Sequence, residues 1–153
     1  MSSFVIVSGA PKFAYCDSKP SNPIIPFISP PFIANSLLYS HTDGFSLADG
    51  EVIYSGRVNG YGGVVAIEQT INTQDYVVVY GHLDPKTLTP KNSIVKEGET
   101  IGLLGDAFSD ETDGERKHLH LSMHKGNKLD LRGYVKTKEM LAEWDDPEKV
   151  LFN

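Results

Sequence analysis

The sequence predicts a mainly β domain, an antiparallel sheet or sandwich with a short C-terminal helix. Three observations carry this. From residue 49 onward, short apolar runs such as "EVIYSGRV", "GGVVAIEQT" and "DYVVVYGHL" follow one another. Gly50, Gly56, Gly60, Gly62 and Gly63 punctuate them, as turns punctuate a sheet. Helical spacing appears only in "TKEMLAEWDDPEKVLF", near the end.

The bulk numbers narrow the function. A chain of 153 residues suits one domain, and 40% hydrophobic residues make a globular composition. Lys+Arg 14 against Asp+Glu 20 gives a formal charge of −6, which argues against a nucleic-acid surface. No apolar run reaches the ~18 residues of a membrane span. The single cysteine, Cys16, excludes an intrachain disulfide and a Cys-rich zinc site. Oligomeric state is not readable.

Residues 1–40 are read as a proline-rich extended arm. Its opening "FVIV" suits a strand, and with no basic residue before it no export signal is expected there. Residues 17–40 hold five of the nine prolines, which disfavours a helix or a central strand. Residues 41–136 form the β domain. Residues 137–153 form a helical tail packed on it, with Thr137 as its cap and Pro147 as its end or kink.

The chemistry centres on histidine. In "KHLHLSM", strand alternation puts His118 and His120 on one face, with Leu119, Leu121 and Met123 on the core side. His124 is assigned to the leucine face, as a solvated residue at the strand end. His82 ends the apolar run "YVVVYGHL", a place where an imidazole is either bonded to a neighbouring carbonyl or part of a site. Tyr61 and Tyr80 are candidates for a groove lining as well as for packing. The acidic loop "GDAFSDETDGERK" places Gly114 too late for a calcium loop and is read as a solvated groove wall.

These segments together resemble a family. "ADGEVIYSG" (48–56), "NGYGGVVAIE" (59–68), "YGHL" (80–83), "VKEGETIGLLGD" (95–106) and "HLHLS" (118–122) occur in the order seen in lysostaphin-type, or LytM-type, zinc metallopeptidases. The resemblance spans about residues 48–135. It implies an antiparallel sheet with a hybrid-barrel-like groove, and cleavage of peptide bonds in the stems or cross-bridges of peptidoglycan. It also implies an extracytoplasmic location. Zn2+ in that family is held by the His and Asp of an H-x-G-x-D motif and by the second His of H-x-H. Carried onto this chain, His120 is a zinc ligand, His118 stands beside the zinc-bound water, and His82 is its partner across the groove.

The first half of the metal motif departs from the pattern. In "SHTDGFSLADG", taking His41 as the ligand puts Phe45 where aspartate belongs. Taking Gly44 as the motif glycine puts Thr42 and Ser46 at the ligand positions. His41 and Asp43, two apart in an extended segment, are the remaining candidates to complete the metal site. Asp49 reads as a turn residue. Two readings stay open: a working zinc endopeptidase, or an inactive relative that binds peptidoglycan or a partner. A third likeness, of "VKEGETIGLLG" to biotinyl and lipoyl carrier domains, lacks the hairpin-tip lysine those domains need.

Overall fold

Two apolar runs make the centre of the sheet. The computed structural model describes residues 43–132, 136–137 and 139–152, and the backbone of residues 4–7 and 12–15. The proline-rich 17–40 segment, Cys16 and His41 lie outside the described residues. β5 (Gly62–Ile71) and β6 (Gln74–Leu83) are buried on both faces, which is why "VVAI" and "YVVVY" are continuously apolar rather than alternating. Asn72 and Thr73 join them with φ of 51° and 67°, the two-residue turn that matches strand twist.

The remaining strands of the large sheet are β1 (Phe4–Val7), β2 (Lys12–Tyr15), β4 (Gly50–Val58), β7 (Ile94–Val95), β9 (His118–Lys125) and β10 (Trp144–Asp145). The order is β2-β1-β9-β6-β5-β4-β7, every pairing antiparallel. β1 covers one edge of β9 along His118–Leu121, and β10 takes over that edge at Met123 and His124. β3 (Asp43–Phe45) and β8 (Thr100–Leu103) form a separate two-stranded sheet. The mainly antiparallel β architecture expected from the sequence is present, without a closed barrel, and "FVIV" is a strand.

The large sheet has two unlike faces. One buries Val52, Val65, Ile67, Val78, Tyr80, Leu119, Leu121 and Met123 together with Leu83, Val95, Ile101 and Leu104. The other carries Val64, Ala66, Val77 and Val79, covered by Ile53, Tyr54, Val58, Tyr61 and Leu131. Leu119, Leu121 and Met123 are thus on the core side, as alternation predicts. Tyr80 also belongs to that core and does not line a groove. Its hydroxyl donates to Gln69 Oε1 (2.8 Å) and accepts from the Leu47 amide (3.0 Å).

The C-terminal segment differs from expectation. A 3-10 helix spans Glu139–Glu143, β10 follows, and the α-helix α1 (Pro147–Phe152) begins at the proline instead of ending there. Trp144 and Asp145 find ladder partners in His124 and Met123, and Tyr76 donates its hydroxyl to Asp145 Oδ2 at 2.9 Å. Proline opens a helix without loss, since the first amides have no partner anyway. Asp146 caps it, its Oδ1 accepting from the Glu148 amide at 3.1 Å.

Candidate active site

Simple alternation along β6 would put His82 with Val78 and Tyr80, in the core. A bulge prevents this. Val65 pairs with Tyr80 and Gly63 with Leu83, so β6 holds one residue more than β5 across that interval. His82 takes up the extra residue with φ of 62°, in the left-handed region. Its ring emerges on the opposite face, 4.4 Å from the ring of His118 and 5.8 Å from that of His120. Leu83 then returns to the core.

Glycines let the neighbours close in. A Cβ on Gly81 would stand 2.8 Å from Tyr61 Cδ1 and 3.3 Å from His120 Cβ. Tyr61 therefore lies over bare backbone, stacked on His82 (6.0 Å, 14° between planes) and edge-on to His120 (4.7 Å). The Tyr61 carbonyl also accepts from the His82 amide at 2.7 Å. The 105–117 loop packs as closely, since a Cβ on Gly62 or Gly105 would stand 2.4 Å from atoms of Glu111.

Two backbone carbonyls fix the imidazoles. His82 Nδ1 lies 2.7 Å from the Glu111 carbonyl, and His118 Nδ1 lies 2.5 Å from that of Arg116. A carbonyl oxygen only accepts, so both Nδ1 atoms carry the proton. In the neutral rings this leaves a lone pair on each Nε2. His82 and His118 are 7% and 8% exposed, sheltered enough for this pattern to persist.

Electrostatics favour neutral rings. Burial, and then the charges His82 and His118 would carry, push His120 down to about 4 from the usual 6.5. Burial also lowers His82, partly offset by its bond to the Glu111 carbonyl. Tyr61 is raised, first by burial and then by the Asp130 carboxylate. At neutral pH His82 and His120 are therefore neutral imidazoles, whose lone pairs can take up protons or bind a borderline metal such as zinc.

His82, His118 and His120 are therefore brought together from two strands. His41 lies outside the described residues. Asp43 is held on β3 opposite Leu103. Among the described residues, no group of three metal-ligating side chains with ligand atoms within 4.8 Å of one another includes Asp43 or His120; the group that meets this test is His124, Asp130 and Glu143. His120, a partly buried imidazole held well below its usual pKa, has the chemistry of a zinc ligand. Asp49 is a turn residue, its carboxylate binding Lys96 Nζ (2.6 Å) and the Glu97 amide (2.9 Å).

Tyr61, a candidate groove lining in the sequence, does stand against the imidazoles. Two features escaped the sequence. The carbonyls of Glu111 and Arg116 have no side-chain signature. His124 was misplaced: even-numbered alternation puts it on the face of His118 and His120, and it is 4% exposed rather than solvated.

The description "Peptidase family M23" fits a family model that matches residues 39–131. Among solved structures, the catalytic domain of the antimicrobial peptidase lysostaphin from Staphylococcus simulans is similar with a TM-score of 0.52 at 19% identity, covering 71% of this chain and 68% of that one. A second structure, of the antimicrobial peptidase lysostaphin from the same organism, gives 0.50 at 20% identity, over 71% of this chain and 38% of that one. LytU gives 0.49 at 23% identity, over 73% and 72%. The two lysostaphin likenesses establish the shared fold. A search of curated protein sequences gave no match.

Proposed function

The chain belongs to peptidase family M23, and from that premise we propose that it is a zinc-dependent endopeptidase acting on the stem or cross-bridge peptides of peptidoglycan. What supports this reading most is the convergence of His82, His118 and His120, with the Nδ1 protons of His82 and His118 committed to backbone carbonyls. His120 serves as a metal ligand together with His41 and Asp43. Bound zinc supplies an acidified water, deprotonated near neutral pH.

The chain's own groups do the rest. His118 Nε2, an acceptor in the neutral ring, takes the proton of the attacking water and delivers it to the leaving amine. Once protonated there, His118 is a cation beside His82, whose own Nε2 stays an acceptor and orients water or the scissile amide. Tyr61, kept protonated by burial, can donate its hydroxyl to substrate oxygen. Its ring closes one side of the imidazole cluster.

A second reading is favoured by one specific observation, the break of H-x-G-x-D at "HTDGFSLADG". On that reading the protein keeps the groove and binds peptidoglycan, or a partner, without cutting. Release of new amino termini from purified peptidoglycan separates the two. The endopeptidase should give release that a chelator abolishes, zinc restores, and His120→Gln and His118→Gln each reduce at least 100-fold. Co-sedimentation with peptidoglycan but no release after zinc addition would establish the binding protein and overturn the enzyme.

A further inference from the structure

We propose that His124, Asp130 and Glu143 form a second divalent-cation site, separate from the imidazole cluster that contains His120. Strand geometry puts His124 roughly 13 Å along β9 from His120, on the same face. Three elements meet there. β9 supplies His124, the segment after β9 supplies Asp130, and the end of the 3-10 helix supplies Glu143. One ligand atom from each lies within 4.8 Å of the other two.

His124 itself points to a ligand. It is 4% exposed, and neither ring nitrogen has a hydrogen-bond partner. Buried imidazole nitrogens are ordinarily satisfied, and leaving one bare costs about 1–3 kcal/mol. Glu143 Oε2 stands 3.6 Å from Nε2, too far for a hydrogen bond and near enough to share an ion. Trp144, its ring edge-on at 4.8 Å, packs against the imidazole.

The donor set is one imidazole and two carboxylates, a combination that zinc accepts at about 2.0–2.2 Å per ligand. Tetrahedral ligands at that distance stand roughly 3.4 Å apart, so the group contracts modestly on binding. Arg132 holds Asp130, with Nε 2.9 Å from both oxygens and a further short contact from its terminal nitrogen, and it lies 3.9 Å from Glu143. Two carboxylates and one guanidinium leave one negative charge beside the imidazole. The Arg132 side chain is 42% exposed and rests over Trp144 at 5.4 Å, so it can turn outward when a cation takes the carboxylates.

The test uses the full chain carrying His120→Gln, so that any zinc held by the other cluster does not enter the count. After chelation and dialysis against zinc, bound metal is measured by mass spectrometry and affinity by calorimetry. About one zinc per chain is expected, with affinity falling at least 10-fold when Glu143→Gln or His124→Gln is added. Cobalt substitution should give visible absorption that the same changes remove. Glu143 is half exposed, so its substitution spares the core; the wild-type chain with Glu143→Gln alone, losing one zinc, repeats the test if His120→Gln fails to fold. No zinc in the His120→Gln chain, or zinc unchanged by both additions, overturns the proposal and leaves the cluster as an ion-pair network.

Discussion

Acid should unfold the metal-stripped protein through His120. In the unfolded chain this imidazole titrates near 6.5; folded, burial and the neighbouring histidines hold it at about 4. Between these values the unfolded state carries a proton that the folded state refuses. The unfolded state then binds more protons, so stability is full above pH 6.5 and falls as pH drops toward 4. At about 1.4 kcal/mol per unit, the difference between 6.5 and about 4 amounts to about 3 kcal/mol by pH 4. His82, also lowered, acts in the same direction. The assay is urea denaturation followed by far-UV circular dichroism, in chelator, from pH 7 to pH 4. Carboxylates titrate in the same window, so the comparison is with His120→Gln, which keeps them all. Wild type should lose about 3 kcal/mol more than the variant across this range. Parallel curves for the two proteins would refute the claim that the fold holds His120 as a neutral ring.

Other substitutions test the packing. Tyr80→Phe strands the Leu47 amide and Gln69 Oε1 in the core and should cost about 1–3 kcal/mol in the same denaturation assay. Gly81→Ala places a methyl against Tyr61 Cδ1 and His120 Cβ, at 2.8 Å and 3.3 Å. It should displace Tyr61 and lower peptide cleavage at least 10-fold with little change in circular dichroism; unchanged turnover would show that Tyr61 does not shape the cluster. Leu121→Ala empties a fully buried position and should cost about 2–5 kcal/mol, read as a lower urea midpoint.

Much of the fold was legible because its periodicities are plain. The alternation of "HLHLSM" assigns Leu119, Leu121 and Met123 to the core, and the apolar run "DYVVVYGHL" marks a strand. Two things defeated pattern reading. Pro147 sits where a helix can end or begin, and local spacing cannot tell these apart; the ladder between Trp144 and His124 decided it. His82 was placed by its neighbourhood in "YGHL", but nothing in those letters says that one extra residue in β6 carries its ring through to the other face. The carbonyls that hold His82 and His118 are likewise invisible to composition. His124 was a miscount, corrected by parity and by its burial.

The left-handed backbone of His82 changes how a knock-out there should be read. Alanine would remove the imidazole yet inherit a conformation that costs a residue with a Cβ about 1–2 kcal/mol, so weakened folding could pass for lost chemistry. Glycine accepts that conformation freely and deletes the ring alone. A glycine variant more stable than its alanine counterpart would measure the torsional load that the native histidine carries to face its neighbours.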